Sequence, residues 1–320
     1  MQVRFWGTRG SLPTSTGGAS IREKIRQALR QADGRRWETD EQLEAFIDDA
    51  LAFPVRNGYG GDTSCVQIAS RREPTLLDMG SGLRRFGQQV METPDQDRPT
   101  TFHFFMSHLH WDHIMGFPFF PPAYLPGNTI HIYGGHPENV LREAFLRQQS
   151  TPCFPVHWDQ LGASIRFTRL ETDRWHRING FAVKLLRQAH HGGSFGYRIE
   201  KDGKALVYST DSEHKQQDDT ETEATVSFYR EADLVIFDAM YSLADMITVK
   251  EDWGHSSNIV GADLCLRANV KHYCMFHHEP AYDDATLYEI LQETRRYAEI
   301  VGEGKSLEIS TAYDDMVLRL

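Results

Sequence analysis

The sequence predicts an α/β fold in one domain spanning residues 1–320, and three observations carry that expectation. Short apolar, β-favouring runs alternate along the chain with longer stretches whose apolar residues recur every three or four positions. The alternation continues to the C-terminal region, which predicts sheets covered on both faces. Apolar residues make up 40% of the 320, enough for a sizeable core, and no internal repeat or low-complexity linker divides the chain.

Taken in order, residues 2–6 alternate as a strand and Gly7-Thr8-Arg9-Gly10-Ser11 turns the chain. Residues 20–51 read as two helices, one on the spacing of Ile21, Ile25 and Leu29 and one on Leu43, Phe46, Ile47 and Leu51, parted by Asp33-Gly34. This charged stretch is expected to be a helical insertion over 20–57 on an otherwise compact fold. Cys65–Ile68 and Thr75–Asp78 form a predicted hairpin, and Asp78-Met79-Gly80-Ser81-Gly82 turns from strand to helix. An apolar strand, Thr101–Met106, is followed after the motif below by a Pro/Phe-rich loop, Gly116–Pro126. Strands are expected at 129–133, 165–170, 182–186, 197–200, 205–209, 234–237 and 273–276, with helices at 137–148, 222–230, 259–268 and 284–297.

Composition narrows the function. No apolar run approaches the roughly 18 residues of a membrane span. Met1–Trp6 reads directly into a strand and lacks the layout of a secretory leader. Cys65, Cys153, Cys265 and Cys274 are scattered, with no CxxC pair, so a reduced cytoplasmic location is expected. The formal net charge of −11 repels a long phosphate backbone and favours a small substrate.

Ser107-His108-Leu109-His110-Trp111-Asp112-His113 carries the chemistry. A strand alternates its side chains, so His108 and His110 point the same way where the strand ends. Asp112 and His113 follow on the turn and can face a second ion. Neutral imidazoles with a carboxylate suit zinc, manganese or iron. Solvated loop histidines are the alternative, but they rarely reach this density of ligands.

HxHxDH is the signature of the metallo-β-lactamase superfamily, which the sequence resembles over nearly its whole length. The resemblance implies an αββα sandwich and further ligands downstream. Arg187-Gln188-Ala189-His190-His191-Gly192-Gly193 resembles the segment of the third histidine, with His191 in place of the family's proline. His190 is assigned as ligand and His191 as its neighbour, the swap of the two being the alternative. Val207-Tyr208-Ser209-Thr210-Asp211 matches the strand before the bridging carboxylate, and Tyr273–Pro280 the strand before the last histidine, His277. His278 is then a supporting residue or a substrate contact. By resemblance, His108, His110, His190 and Asp211 hold one divalent ion. Asp112, His113, Asp211 and His277 hold the other, with zinc expected and manganese or iron possible on the same ligands. A hydroxide between the ions is the implied nucleophile.

Two more segments resemble the phosphodiesterase branch. Leu234–Tyr241 is similar to the strand that carries an acidic residue in the tRNA 3′-end processing endonucleases, and Trp253-Gly254-His255-Ser256-Ser257 to their His-Ser-Thr segment. Carried over, Asp238 positions His255, and His255 is the general acid for a poor alkoxide leaving group. The competing reading has His255 capping the next helix, a task open equally to Ser256, Ser257 or Asn258. Those endonucleases carry a long arm between the third histidine and the bridging aspartate, where this chain has one short hairpin. The expected substrate is therefore small, and the resemblance to bacterial and phage cyclic-nucleotide phosphodiesterases of this fold implies a cyclic phosphodiester, foremost a cyclic nucleotide. Similarity extends to phosphoribosyl cyclic phosphate phosphodiesterases, although their extra cysteine-bound zinc has no counterpart here. The alternatives are an acyl hydrolase (lactonase or thioesterase), an RNA 3′-end endonuclease, a non-catalytic nucleotide-binding protein and an iron oxidoreductase. The Phe117, Phe119 and Phe120 loop is a candidate for stacking on a base or for the core, and Ser194 and Arg198 for contacts to phosphate or ribose. Asp78 is expected to hydrogen-bond near the ligand loop. A homodimer is implied, with residues 20–51 at the interface or over the pocket.

Overall fold

The computed structural model describes residues 1–68, 73–172, 174–214, 219–248 and 253–320. The chain begins with β1 (Gln2–Gly7), α1 (Gly18–Gln31), α2 (Asp40–Ala45) continuing as a π turn over Phe46–Ala50, and α3 (Phe53–Arg56). Next come β2 (Cys65–Ile68), β3 (Thr75–Leu77), α4 (Leu83–Glu92), β4 (Thr101–Met106), the short α5 (Trp111–Ile114), β5 (Thr129–Gly134) and α6 (Glu138–Gln148). Then follow β6 (Ser164–Arg169), β7 (His176–Ile178), β8 (Phe181–Gln188), β9 (Ser194–Lys201), β10 (Lys204–Ser209), α7 (Asp219–Tyr229) and β11 (Leu234–Asp238). The chain ends with α8 (Leu243–Thr248), α9 (Asn258–Arg267), β12 (His272–Phe276), α10 (Asp284–Val301), β13 (Glu308–Thr311) and β14 (Val317–Arg319).

The strands form two seven-stranded sheets, ordered β14-β1-β2-β3-β4-β5-β6 and β13-β12-β11-β10-β9-β8-β7. Each sheet is parallel in one half, β3 to β6 in the first and β10 to β13 in the second, and antiparallel in the other. Strands buried on both faces must be apolar throughout, and β4 shows why its run is unbroken. Phe105 packs between the two sheets, while Phe102, Phe104 and Met106 face the outer layer with Leu83 and Phe86 of α4 and Leu141 and Phe145 of α6. On the opposite face of the second sheet, Val207, Val235, Phe237 and Tyr273 pack against Leu264 of α9 and Leu291 of α10. The four layers are those of an αββα sandwich.

The expected strands and helices recur within a few residues at each end. The short elements β7, α8, β13 and β14 have no counterpart in the sequence reading, because three to six residues carry too little periodicity to register. The stripe that marks α1 as a helix does not face the core: Ile21, Ile25 and Leu29 are 47%, 55% and 68% exposed. Instead α1 is fixed by a polar residue, Lys24, which donates to the Asn57 carbonyl at 2.6 Å and pairs with Asp284. Among the described residues, no helix is long and apolar enough to cross a membrane.

This architecture places chemistry on one rim. Open α/β sheets collect ligand groups beyond the carboxyl ends of their parallel strands. Here β3 runs into Asp78, β4 into His108, β10 into Asp211, β11 ends on Asp238 and β12 runs into His277. Asp78, Asp211 and His277 all adopt left-handed backbone, at φ 58°, 47° and 61°. Such torsions cost energy in non-glycine residues and gather where a side chain must be aimed.

Candidate metal centre

The seven proposed ligands converge although they come from four distant stretches. Asp211, 2% exposed, lies at the centre. Its Oδ2 is 3.5 Å from His108 Nε2 and 3.7 Å from His190 Nε2. Its Oδ1 is 3.2 Å from His113 Nε2 and 3.3 Å from His277 Nε2. Asp112 Oδ2 adds contacts of 3.3 Å to His113 Nε2 and 3.2 Å to His277 Nε2. His110 joins through Nδ1, 3.1 Å from His190 Nε2. Two ligand groups result, His108, His110, His190 and Asp211 on one side and Asp112, His113 and His277 on the other, with one carboxylate oxygen of Asp211 turned to each; Asp211, His255 and His277 also lie close enough to form a third, overlapping group.

The second nitrogen of most of these rings is occupied elsewhere, which fixes the nitrogen left facing inward. His113 Nδ1 lies 2.8 Å from Asp78 Oδ2 and His190 Nδ1 2.7 Å from the Gly254 carbonyl. His108 Nδ1 is 3.0 Å from Ser107 Oγ. The buried Asp78 also accepts from the Ser107 amide and hydroxyl, at 2.7 Å each, and from Tyr208 Oη at 2.8 Å. The Ser11 amide donates to the same Asp112 Oδ2 at 2.8 Å. Close approach sets the glycines: a Cβ at Gly10 would lie 2.6 Å from His277 Cε1, and one at Gly254 2.6 Å from His190 Nδ1.

The donor set fits divalent cations. His108 Nε2 is buried with no hydrogen-bond partner and points at the cluster. His113 Nε2 faces His277 Nε2 at 3.2 Å and His190 Nε2 faces His110 Nδ1 at 3.1 Å. Imidazoles and carboxylates converging in this way are the ligand types that zinc and similar ions take. Burial opposes the charge on His113, but Asp211, Asp112 and Asp78 push it well above the usual histidine range. Burial and then His113 pull His108 well below the usual histidine range. Burial opposes the charge on Asp211, but His277, His113 and His108 hold it well below the usual carboxylate range. The site therefore binds divalent metal through His and Asp side chains.

Beside this cluster His255 Nδ1 lies 2.9 Å from Asp238 Oδ2, and 3.9 Å from Asp211 Oδ2. Burial pulls the imidazole down, but Asp238 overcomes it and pushes it up to about 9. Asp238, fully buried, is itself held by the amides of Ser212 and Met240 at 3.1 and 3.2 Å. The cap of α9 is Ser257, whose side chain accepts from Val260, so His255 is not the capping group.

The remaining candidates divide between the cluster and the surrounding core. His190 lies in the cluster and His191 is an exposed neighbour. His278 is buried and reaches the Ala312 carbonyl at 2.8 Å. Ser194 is fully buried and donates to the Thr210 carbonyl. Arg198 is tied to Glu200 and to the carbonyls of Phe228 and Arg230, so neither reaches the metal ligands. Phe117 and Phe120 are fully buried among the aromatic residues under α4 and α6, and only Phe119 is exposed. The sequence reading missed the Ser11 amide and Tyr208 as supports, since no local pattern links them to residues about a hundred positions away.

Comparison with known proteins supports this picture. A family model described as "Beta-lactamase superfamily domain" matches residues 75–278. The ribonuclease Z of Picosynechococcus is 22% identical over 303 residues, covering 78% of this chain and 90% of that protein. The metallo-beta-lactamase fold protein YhfI of Bacillus subtilis superposes with a TM-score of 0.62 at 16% identity, over 99% and 98% of the two chains. The short form of human tRNase Z gives 0.57 at 20% identity, over 100% of this chain and 99% of that one.

Proposed function

The chain belongs to the beta-lactamase superfamily and is a metal-dependent hydrolase, and on that premise we propose that it cleaves phosphodiester bonds in RNA near a 3′ end. The observation that carries the reading is the His255–Asp238 pair, 2.9 Å apart, set beside the shared carboxylate of Asp211. An alkoxide leaving a phosphodiester needs a proton, and His255 holds one up to about pH 9. Its Nδ1 is engaged by Asp238, so the other ring nitrogen is the donor. An acyl hydrolase has less use for such a group. The ribonuclease Z name of the relative quoted above favours RNA over the cyclic nucleotide expected from sequence.

Two divalent ions, of which zinc suits the ligands best, supply Lewis acidity and lower the pKa of water. His108, His110, His190 and Asp211 would hold one, and Asp112, His113, His277 and Asp211 the other. Asp211 keeps the two ligand groups in register by giving one oxygen to each. Asp112 is braced by Ser11, and Asp238 sets the ring of His255 and stabilises its charged form. Products from a metal-loaded protein offered an RNA with a 3′ extension, a cyclic-nucleotide panel and a lactone panel test the proposal. Cleavage of the RNA supports it, and turnover of lactones alone overturns it.

One observation favours a smaller substrate. Between His190 and Asp211 lies the single hairpin of β9 and β10, turned at Asp202-Gly203. A chain without a longer arm there has less surface with which to grasp a folded RNA. Turnover confined to cyclic phosphodiesters in the same assay would select that reading.

The homodimer remains a proposal, and α1 is its candidate contact. Its exposed Ile21, Ile25 and Leu29 lie beside Arg22, Arg26 and Arg30, and the chain also presents exposed Asp40, Glu41, Glu44, Asp48 and Asp49. A two-fold interface must be self-complementary, and an apolar stripe can meet its own copy across such an axis. Light scattering of the protein and of Ile25→Glu tests it, with a dimer that becomes monomeric expected and a monomeric parent overturning it.

A further inference from the structure

The second sheet carries a basic groove on its outer face, away from the metal ligands. Val183, Leu185, Tyr197 and Ile199 pack between the two sheets. Side chains alternate along a strand, so Lys184 and Arg198, which pair across β8 and β9, point to the opposite side. Two clefts of about 600 and 680 Å³ lie there and share Arg198, Glu200 and Glu231 as lining. One takes in Arg177 of β7 and Lys201 at the end of β9. The other follows β8 as far as Arg187 and is walled by Ser227 and Phe228 of α7.

The charge of this groove is opposite to that of the chain. The two clefts are lined by eight arginine and lysine side chains against four carboxylates, whereas the net charge of the whole chain is −11. Three of the eight are neutralised locally. Arg198 pairs with Glu200 at 2.7 Å, and Lys204 and Lys271 share Asp233 at 3.1 and 2.8 Å. Among the described residues, Arg177, Lys184, Arg187, Lys201 and Arg230 form no ion pair. Cations gathered in a cleft with protein walls focus positive potential there and draw in an anion of matching extent. An acidic chain that acts on RNA needs such a local track, because its overall charge repels the phosphate backbone.

The groove also runs towards the ligand cluster. β8 carries Lys184 and ends at Gln188, two positions before His190. Lys184 and His190 are six positions apart, at most about 20 Å of extended chain. This surface belongs to the sheet itself and needs no added arm.

We propose that the groove along β8 and β9 binds the phosphate backbone of an RNA strand, remote from the bond that is cleaved. The proposal rests on the reading of the chain as an RNA-cleaving enzyme and deepens it by naming a surface that holds the substrate.

The test measures binding separately from turnover. The probe is a fluorescently labelled, hydrolysis-resistant phosphorothioate RNA dodecamer, and its Kd for the metal-loaded protein is read by anisotropy over a range of salt concentrations. Arg177→Gln, Lys184→Gln and Arg230→Gln combined should weaken binding about tenfold or more and lower the slope of log Kd against log salt by roughly 0.7 per cation, about 2 in all. Metal content equal to that of the parent is expected, since none of the three touches the ligands. Arg84→Gln, Arg142→Gln and Arg296→Gln combined remove the same charge from three exposed positions outside the groove and should leave the slope unchanged. An unchanged slope in the groove variant overturns the proposal, as do equal losses in the two triple variants and failure of the parent to bind. RNA cleavage by a parent whose binding ignores the groove substitutions refutes the groove alone. Groove-dependent binding by a protein that cleaves no RNA leaves the groove in place and refutes the hydrolase reading instead.

Discussion

Asp78 and His113 meet at 2.8 Å, carboxylate Oδ2 to imidazole Nδ1, with both side chains fully buried. Because Nδ1 is engaged, Nε2 of His113 is the nitrogen turned towards Asp112, Asp211 and His277. Asp78 thus orients a ligand without joining the cluster.

Replacing that carboxylate is expected to loosen the second metal position. Asp78→Asn keeps the shape and removes the charge that favours the Nδ1–H tautomer. Supporting residues of this kind typically account for 10- to 100-fold in metal affinity or activity. Metal content after dialysis, measured against the parent protein, checks it, and equal retention would show that Asp78 does not orient His113.

His255 and Asp238 are expected to separate in their pH behaviour. His255→Ala should lower turnover about 10²- to 10⁴-fold with metal content intact. Asp238 raises His255 to about 9, so the protonated form is lost as pH rises through that value. Asp238→Asn should therefore move the alkaline fall in rate to lower pH. A pH–rate profile of kcat with an unchanged alkaline limb would refute the coupling.

Gly254 combines φ +82° with a Cβ position 2.6 Å from His190 Nδ1. Gly254→Ala must push His190 aside or distort the loop that carries His255. Lower metal content together with lower turnover is expected, whereas Gly304→Ala, which also has positive φ but open space around it, controls for backbone strain alone. Equal losses in both variants would assign the effect to strain.

Asp314 gives a pH dependence of stability away from the metal ligands. Burial, offset in part by the amides of Asp62 and Gly61 that it accepts, pushes it up to about 7. Its unfolded value is about 3.9. The proton is therefore bound more tightly in the folded state, and the stabilisation that follows is complete below about pH 4 and lost as pH rises through 7. The contribution to the slope is at most about 1.4 kcal/mol per pH unit. Asp314→Asn should flatten the difference in Tm between pH 5 and pH 8, and thermal melts at both values measure it.

The convergence of the candidate ligands was legible in part because they are local in sequence or follow apolar strands. His108, His110, Asp112 and His113 lie within six positions, and His190, Asp211 and His277 follow strands that the apolar runs reveal. The reading failed where a residue's fate depends on what packs over it. Phe117 and Trp111 are both aromatic residues near the motif, yet one is fully buried and the other 72% exposed. Likewise, the spacing of Ile21, Ile25 and Leu29 foretold a helix but not which way the stripe faces.

Sequence alone determined which elements form and which residues sit at their ends, because side-chain periodicity of 2 or 3.6 is a local property. It also carried the identities of the residues that converge on Asp211. Tertiary structure decided which nitrogen of each imidazole faces inward, how Asp211 divides its two oxygens, and that Ser11 and Tyr208 support the cluster. Those outcomes depend on sheet register and on contacts between residues 35 to 130 positions apart, and no local pattern encodes them.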